Sequence, residues 1–259
     1  MNNVRMGEVG MKLAHKVAIV TGAGRNIGEE VAVLLASEGA QIAVVDLNEA
    51  SAEAVVSRIA QAGGVARSYV CDVSDEAAVN ALMDSVVGDF GGLDILINNV
   101  AISDNKSVLD LEKAEWDKVM AVTLTAPFLT SKAAAKAMIA GERSGRIVNV
   151  TSTSGYFGRA RALAYTTAKG GLVNFTRSLA IQLAPHNIRV NSVVPNKIGS
   201  PVGKDAFNPD RKVVNLRNRP GEPIDLARAV LFLVSDDSDF IAGTEIFVDG
   251  GCSVMMAGE

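Results

Sequence analysis

Short β-rich runs alternate with longer helical patterns along the chain, and this alternation constrains the fold more than any other feature. Most of the runs are apolar throughout, which is typical of parallel strands covered on both faces. Strands are predicted at Lys16–Thr21, Gln41–Asp46, Ala66–Cys71, Leu93–Asn98, Gly145–Val150, Ile188–Val194 and Thr244–Asp249. Helices are predicted at Ile27–Glu38, Glu49–Ala62, Asp75–Phe90, Lys113–Ala140, Leu163–Ala184 and Leu226–Ser235. This regular alternation predicts an α/β fold, a doubly wound parallel sheet of about seven strands with helices on both faces.

The length and the hydrophobic content fit one domain of this kind. With 259 residues, of which 48% are hydrophobic, the chain can bury one large core. We expect residues 15–259 to form a single domain and residues 1–14 to form a flexible N-terminal extension. A long irregular segment, residues 196–223, is rich in Pro, Gly and charge, and we expect it to be a substrate loop.

Charge, hydropathy and cysteine usage exclude several kinds of partner. The chain has 25 basic and 29 acidic residues, a net charge of −4, which argues against a nucleic acid or an anionic membrane surface. No apolar run reaches the roughly 18 residues that span a bilayer, and the first residues do not resemble a secretory signal. Cys71 and Cys252 lack the spacing of a metal site. We therefore expect a cytoplasmic protein without a metal.

A glycine-rich turn follows the first predicted strand. Gly22, Gly24 and Gly28 lie between that strand and a helix, where glycines let the backbone approach a pyrophosphate at a helix N-terminus. Asn26 stands where a further glycine is expected, and asparagine tolerates a positive φ. The alternative is an ordinary tight loop between a strand and a helix. An acid at the end of the next strand, Asp46, favours the nucleotide site.

Asp46 also indicates which nucleotide binds. It lies about 20 residues after the turn, where a carboxylate accepts hydrogen bonds from both ribose hydroxyls and repels a 2′-phosphate. The next residues, Leu47 and Asn48, add no cation that would bind such a phosphate. The sequence thus predicts a Rossmann-like site for NAD, with Arg25 and Ile27 of the turn beside it.

Tyr165 and Lys169 are the best candidates for acid–base chemistry. The two histidines are expected to be structural, since His15 precedes the first strand and His186 fits a helix end. Tyr165 and Lys169 are four residues apart on a predicted helix and share a face. A tyrosine base near neutral pH needs its pKa lowered by about three units, or about 4 kcal/mol. An ammonium about 4 Å away supplies about that much at an effective dielectric constant near 20. The alternative is a solvated helix face.

Several motifs, in register, resemble the short-chain dehydrogenase/reductase family over nearly the whole chain. They are the glycine turn, Asn98–Ala101 in place of Asn-Asn-Ala-Gly, Ser152, the Tyr165/Lys169 pair and a final "FVDGG". The resemblance implies hydride transfer between NAD and a secondary alcohol or ketone, with Tyr165 as general acid/base. It also implies that Ser152 binds the substrate oxygen, while Lys169 lowers the pKa of the tyrosine and holds the nicotinamide ribose.

The resemblance implies further cofactor contacts and an assembly. Besides the turn, Asp46 and the catalytic pair, the cofactor-binding positions are Leu47, Asp72, Val73, Asn98, Val100, Pro195, Ile198 and Ser200. Two small-residue-rich helical faces, residues 129–140 and 170–183, are expected to pair subunits into a homotetramer or homodimer. Other hydroxyl groups do not replace the catalytic ones, because they lie out of register or lack the lysine: Thr151, Thr153, Ser154 and Tyr156.

Three departures from the family's pattern lie beside the expected cofactor site. Asn26 replaces a glycine, Val100 and Ala101 add bulk, and Asn196 stands after Pro195 where a glycine is usual. Asn26 is expected to keep the turn at some loss of room, and Ile198 and Ser200 still fall where an Ile and a Thr of the family usually meet the nicotinamide amide.

The fourth departure is Thr123, seven residues after Trp116, where the family has a catalytic asparagine that helps to seat a proton-relaying water. A threonine hydroxyl also binds water, with fewer donors. Either the relay is rebuilt around Thr123 and the enzyme works, or the chain is a nucleotide-binding relative with impaired chemistry. The intact Ser152, Tyr165 and Lys169 favour a working enzyme. The enzymatic rival is an NADPH-dependent ketone or 3-oxoacyl-thioester reductase.

Cations are concentrated around the expected substrate site: Arg159, Arg161, Lys197, Lys204, Arg211, Lys212, Arg217 and Arg219. One hypothesis is that the substrate bears a carboxylate or another anionic group. The simpler alternative is that they are solvated loop charges, balanced by Asp205, Asp210 and Glu222. Arg219, in "RPGEPIDLA", is expected to be structural.

Overall fold

All seven predicted strands form one parallel sheet. The computed structural model describes residues 11–200, 202 and 209–255. The strands are β1 (Val17–Thr21), β2 (Gln41–Asp46), β3 (Val65–Val70), β4 (Ile95–Asn98), β5 (Arg146–Val150), β6 (Arg189–Pro195) and β7 (Glu245–Val248). Their order in the sheet is β3-β2-β1-β4-β5-β6-β7, and every pairing is parallel. The doubly wound parallel sheet is confirmed.

The α-helices of the described chain cover both faces of the sheet. They are α1 (Asn26–Ser37), α2 (Glu49–Gln61), α3 (Glu76–Phe90), α4 (Lys113–Met120), α5 (Ala126–Ala140), α6 (Leu163–Leu183) and α7 (Pro223–Val234). One core packs α1, α2 and α7 against the sheet, with Val20 and Leu35 fully buried. The other packs α3 and α5 against the opposite face, with Leu96 and Met138 fully buried. Because both faces are covered, the strands are apolar throughout rather than alternating.

The strand order reverses between β1 and β4, and this reversal positions the candidate site. From β1 the chain moves outward to β2 and β3, whereas β4 leads to β5, β6 and β7 on the other side. In sheets of this kind a crevice opens outside the carboxyl ends of the strands at the reversal. The glycine turn after β1 and the residues that follow β4 and β5 therefore meet at one edge of the sheet.

The helix predicted over Lys113–Ala140 is instead two α-helices, α4 and α5, joined by the π-helical turn Ala121–Thr125. Pro127 has no N–H, so the carbonyl four residues earlier, that of Thr123, loses its α-helical donor. Single π-helical turns inside helices are frequent at functional sites. Because the chain is helical on both sides of the turn, the sequence pattern did not reveal the break.

Residues 11–14, which we expected to belong to a flexible extension, are instead part of the folded unit. Leu13 is only 1% exposed, and its N–H donates to a main-chain carbonyl at the end of α1 (2.8 Å). An apolar side chain buried to this extent holds its segment on the core. The rest of the extension, residues 1–10, lies outside the described residues, as do Lys204 and Asp205 of the substrate loop.

The described residues contain neither a membrane-spanning helix nor a metal-binding cluster. No helix among them is both long enough and apolar enough to cross a bilayer. Nor does any group of three or more His, Cys, Asp or Glu side chains in that part of the chain come together to hold a metal ion.

Candidate active site

A large cavity of about 1640 Å³ opens at the carboxyl edge of the sheet. A pocket for one drug-sized ligand encloses about 300–1,000 Å³, so this cavity has room for a dinucleotide and a small substrate together. Most of the predicted site residues line it: Gly22, Arg25, Asn26, Ile27, Gly28, Asp46, Leu47, Asp72, Val73, Val100, Ser152, Tyr165, Lys169, Pro195, Ile198 and Ser200.

The glycine turn adopts a tight form in which the backbone packs on itself. Gly22 has a φ of 60°, a left-handed conformation that glycine adopts at no steric cost. A Cβ at Gly28 would overlap the carbonyl oxygen of Gly22, so α1 begins in direct contact with the turn. The amide of Asn99 donates to the carbonyls of Thr21 (3.0 Å) and Gly22 (3.1 Å). These contacts fix the turn where it borders the cavity.

The amino end of α1 borders the cavity without a side-chain cap. Its N-cap residue, Arg25, makes no capping hydrogen bond, whereas Asn48 caps α2 and Asp75 caps α3. An uncapped helix start keeps N–H groups and a partial positive charge that favour an anion. The residues present therefore fit the diphosphate of a dinucleotide.

Two carboxylates border the cavity at the ends of β2 and β3. Asp46 accepts hydrogen bonds from the backbone N–H groups of Gly24 (2.9 Å) and Asn48 (3.0 Å). Asp72 accepts from the hydroxyl (2.6 Å) and the N–H (2.9 Å) of Ser74, and these bonds hold the pKa of Asp72 below its usual value. Each carboxylate keeps further acceptor positions. This placement fits the ribose contact predicted for Asp46 and the cofactor contact predicted for Asp72.

The three catalytic candidates lie together where β5 ends and α6 begins. Ser152 follows β5, while Tyr165 and Lys169 lie on one face of α6 and are 5% and 2% exposed. The Nζ of Lys169 is 5.9 Å from the centre of the Tyr165 ring and donates to the carbonyl of Val150 (2.6 Å). The fold thus brings the serine, the tyrosine and the lysine to one wall of the cavity.

Burial governs the protonation of the Tyr165–Lys169 pair. It raises the pKa of Tyr165, and the nearby hydroxyl of Ser152 and the charge of Arg159 offset this only in part. It lowers the pKa of Lys169 to about 7. Both shifts favour the neutral forms. The sequence predicts that a charged Lys169 lowers the pKa of Tyr165. That effect stays a prediction for the enzyme with bound cofactor.

Asn98 and Thr123 lie behind the cavity wall rather than on it. The buried amide of Asn98 donates to Ser131 (3.0 Å) and Asn149 (2.9 Å). The buried hydroxyl of Thr123 donates to the carbonyl of Ile102 and accepts from its N–H, both at 3.2 Å. Each side chain supports a segment of the wall. The contacts of Thr123 therefore favour a positioning role over the predicted role in seating a water.

Asp104 holds the start of α6, and sequence reasoning did not single it out. Its carboxylate accepts from the N–H groups of Tyr165 (3.1 Å) and Ala164 (3.4 Å). The helix's own N-cap residue, Ala162, cannot cap it and has a φ of 78°. The N–H of Ala162 donates to the carbonyl of Lys106 (3.0 Å). Because Asp104 is about 60 residues away in sequence, no local capping motif could have revealed it.

The predicted cations of the substrate region divide into two groups. Arg159, Lys197 and Arg211 line the cavity, and other described cations of these segments do not: Arg161, Lys212 and Arg217. Arg219 pairs with Asp225 (2.6 Å), which gives it the structural place we expected.

Several further lining residues were not singled out from the sequence. They include Asn99, Asn105, Lys118, Phe157 and Met255. Asn99 had a signal, because it is the second asparagine of the segment that resembles Asn-Asn-Ala-Gly. The others reach the cavity through packing between distant segments, for which the sequence has no local pattern.

The strand order and the cavity at its reversal define a Rossmann-like nucleotide-binding protein, and the buried tyrosine and lysine at that cavity indicate redox chemistry on a hydroxyl or carbonyl group. A family model described as "Enoyl-(Acyl carrier protein) reductase" matches residues 22–253. The chain belongs to the short-chain dehydrogenase/reductase family and is an oxidoreductase.

Similar proteins include enzymes that are named for oxidation and for reduction. The chain is 36% identical to 2-(S)-hydroxypropyl-CoM dehydrogenase 3 of Xanthobacter autotrophicus, over 94% of this chain and 99% of that protein. It is 37% identical to cyclopentanol dehydrogenase of a Comamonas species (91% and 96%), and 35% identical to a 3-oxoacyl-(acyl-carrier-protein) reductase of Vibrio cholerae (93% and 98%). The solved structure of NAD⁺-bound xylitol dehydrogenase matches with a TM-score of 0.85 at 37% identity, covering 93% of this chain and 100% of that one.

Proposed function

We propose that the chain catalyses the NAD-dependent oxidation of a secondary alcohol to a ketone, or the reverse reduction. The observation that carries this proposal is the position of Ser152, Tyr165 and Lys169 in one wall of the cavity that the glycine turn and Asp46 also border. A complete acid–base cluster of this kind has no evident structural use. It speaks against a nucleotide-binding relative that has lost its chemistry.

The chain's own residues handle the proton of the reaction. Bound NAD supplies the hydride acceptor. Tyr165 takes the hydroxyl proton as hydride leaves the carbinol carbon, and it returns the proton in the reverse direction. Ser152 donates a hydrogen bond to the substrate oxygen, and the ammonium form of Lys169 favours the phenolate form of Tyr165. Because both side chains are buried, the proton moves in a site of low dielectric constant, where each of these interactions is strengthened.

Asp46 supports NAD over NADP. Its carboxylate is held by two backbone N–H groups beside the cavity, so a 2′-phosphate there would face a negative charge. Leu47 is 68% exposed and offers no cation in compensation. The rival proposal, an NADPH-dependent ketone or 3-oxoacyl-thioester reductase, draws its support from the similarity to the Vibrio cholerae reductase.

We further propose a homotetramer or homodimer in the cytoplasm. Phe128 and Ile139 on α5 and Ile181 on α6 are large apolar side chains exposed on the helices expected to pair subunits. Cys71 and Cys252 are both free thiols, in keeping with a reducing compartment.

Tyr165→Phe tests the proposed function. We expect turnover to fall by about 10²–10⁴-fold, because the acid–base group is lost, while NAD binding persists. The assay is a screen of hydroxylated compounds that includes cyclopentanol, followed by the absorbance of reduced nicotinamide. Calorimetry on the wild type should give a lower Kd for NAD than for NADP, and the opposite order would favour the rival.

The matched control is Tyr156→Phe, since Tyr156 is another tyrosine of the same region that does not line the cavity. This variant should retain turnover. Wild-type activity in Tyr165→Phe would show that the assigned chemistry is wrong.

A further inference from the structure

The acidic and basic side chains that line the cavity are unevenly distributed along the sheet. The described carboxylates that line it are Asp46, at the end of β2, and Asp72, after β3. Arg159 follows β5 and Arg211 lies in the segment after β6, on the other side of the strand reversal. Among the described residues, the half of the cavity that contains Tyr165 therefore has lining cations and no lining carboxylate, whereas Arg25 lies in the half that holds the carboxylates.

The charges of Arg159 and Arg211 act on one another. The charge of Arg159 adds to burial in lowering the pKa of Arg211, and the same charge acts on the phenol of Tyr165. Within the described chain, neither arginine forms an ion pair or a hydrogen bond with an acid. Two like charges in a partly desolvated site repel one another, and an anion placed between them relieves that repulsion.

Neighbouring arginines in the same two segments lack these properties. Arg161 is two residues from Arg159, and Arg217 is six residues from Arg211. Arg161 and Arg217 are exposed, as Arg159 is, whereas Arg211 is half-buried; neither Arg161 nor Arg217 lines the cavity. Lining the cavity therefore distinguishes Arg159 and Arg211 from Arg161 and Arg217.

We propose that Arg159 and Arg211 form an anion-binding subsite, and that the substrate is a secondary alcohol or ketone bearing a carboxylate or a similar anionic group. This inference rests on the proposed function, because the subsite is defined by its position beside Tyr165. Guanidinium groups bind carboxylates through paired, charge-assisted hydrogen bonds.

Matched neutral and anionic substrates test the subsite. The pairs are cyclohexanol with 4-hydroxycyclohexanecarboxylate, and 2-butanol with 3-hydroxybutanoate, each assayed for kcat/KM with NAD. We expect the carboxylate member of a pair to be preferred by at least about tenfold. Arg159→Gln and Arg211→Gln should each remove most of that preference, chiefly through KM. The control variants Arg161→Gln and Arg217→Gln should keep it.

The outcomes separate this inference from the proposed function. Equal kcat/KM within each pair overturns the subsite and leaves the proposed function intact. A preference that survives Arg159→Gln and Arg211→Gln overturns it in the same way. If no alcohol of these pairs or of the wider screen is turned over by wild-type enzyme saturated with NAD, the proposed function fails, and the inference fails with it.

A second inference concerns Asn26 and rests on a different observation. This residue has a φ of 53°, and its amide is bonded to both backbone groups of Ser200. Its Oδ1 accepts from the N–H of Ser200 (3.3 Å), and its Nδ2 donates to the Ser200 carbonyl (3.4 Å). A Cβ at Gly199 would overlap this Oδ1, so the two segments are in close contact.

The contact joins the glycine turn to the base of the substrate loop. The N–H of Gly199 donates to the carbonyl of Gly221 (2.8 Å), and the N–H of Gly221 donates to the carbonyl of Lys197 (3.1 Å). The two ends of the loop are thus tied to one another. Asn26 in turn ties them to the segment that borders the cofactor.

We infer that Asn26 is a positioning residue, and that it sets the base of the substrate loop relative to the glycine turn. Asn26→Gly keeps a residue that adopts positive φ but removes the amide. We expect KM for a secondary alcohol to rise about tenfold, as the loss of two hydrogen bonds allows, and the Kd for NAD to rise by a smaller factor. Tryptic cleavage after Lys212, measured with saturating NAD, should become faster.

Asn187→Gly is the matched control. Asn187 also has a positive φ, 57°, and its side chain donates to Ser144 (2.6 Å) outside the cavity. This variant should leave KM and the cleavage rate unchanged. The inference is overturned if Asn26→Gly leaves KM at the wild-type value, or if it weakens NAD binding as much as alcohol binding.

Discussion

The cavity has a cofactor half, lined by the glycine turn, Asp46 and Asp72, and a catalytic half, lined by Ser152, Tyr165 and Lys169. The two halves are built in different ways. In the cofactor half the decisive contact is local, since Gly28 packs on the carbonyl of Gly22 within one turn. In the catalytic half the decisive contacts join distant segments, as when Asp104 holds the N–H of Tyr165 and Lys169 binds a carbonyl of β5. The first half depends mainly on residue types at fixed spacing, with a remote contact added by Asn99, and the second depends on which remote segments the fold brings within reach.

The two halves also differ in whether they favour the charged or the neutral forms of their titratable side chains. Hydrogen bonds from Ser74 keep the pKa of Asp72 low, so the cofactor half keeps its carboxylate ionised. Burial pushes Tyr165 and Lys169 toward their neutral forms in the catalytic half. Cofactor binding should therefore be insensitive to pH near neutrality, whereas turnover should depend on it.

Gly28→Ala should disrupt the cofactor half, with the largest expected effect on NAD binding. The added Cβ would overlap a backbone oxygen, so the turn and α1 must move apart. We expect the Kd for NAD to rise by about 100-fold, or about 2.7 kcal/mol, as measured by calorimetry, with the circular dichroism of a folded protein retained.

The control for that substitution is Gly88→Ala in α3. The added methyl at Gly88 meets no atom within 4 Å, and alanine in a helix interior is more stable than glycine by about 0.5–1 kcal/mol. This variant should be slightly more stable and should bind NAD normally. Unchanged NAD binding in Gly28→Ala would mean that the turn does not hold the diphosphate.

The pH dependence of turnover tests the difference between the two halves through the titration of the catalytic residues. Oxidation needs the deprotonated form of Tyr165, and burial raises its pKa, so that form grows by up to about tenfold per pH unit below the pKa. We expect kcat/KM for oxidation to rise from neutral to alkaline pH, and the reductive reaction to be favoured at lower pH. Because Lys169 loses its charge as the pH rises through about 7, the rise should be shallower than tenfold per unit.

This pH experiment has an internal control in the Kd for NAD, which should change little over the same range. Profiles that are flat in both directions would count against Tyr165 as the acid–base group. A Kd that follows the oxidation profile would instead assign the dependence to the cofactor half.

Asp104→Ala tests whether the catalytic half depends on a remote contact. The substitution removes the acceptor for two N–H groups at the start of α6, which costs about 1 kcal/mol and loosens the turn that carries Tyr165. We expect kcat to fall about tenfold. Asp75→Ala removes the comparable cap of α3 and should cost similar stability with kcat unchanged. Equal kcat in the two variants would contradict the positioning role.

The same contrast explains what the sequence could reveal. The sheet and the glycine turn were predicted because apolar runs and glycine spacing are local patterns, and Asp46 followed from its place at a strand end. The role of Asp104 and the break at Ala121–Thr125 could not be predicted. One depends on a contact across about 60 residues, and the other on a missing N–H at Pro127 inside a pattern that is helical on both sides.

Among the substitutions at candidate site residues, Thr123→Val is expected to have the smallest effect on turnover. It keeps the shape of the side chain but leaves the N–H and the carbonyl of Ile102 without their partner, so the free energy of unfolding should fall by about 1–3 kcal/mol. If the hydroxyl only positions the cavity wall, kcat per folded molecule should fall less than about threefold, and Thr123→Ser, which keeps the hydroxyl, should restore stability. A much larger loss of kcat in Thr123→Val, with normal kcat in Thr123→Ser, would indicate that the Thr123 hydroxyl takes part in the proton relay. The catalytic half would then work more like that of the family than its contacts indicate.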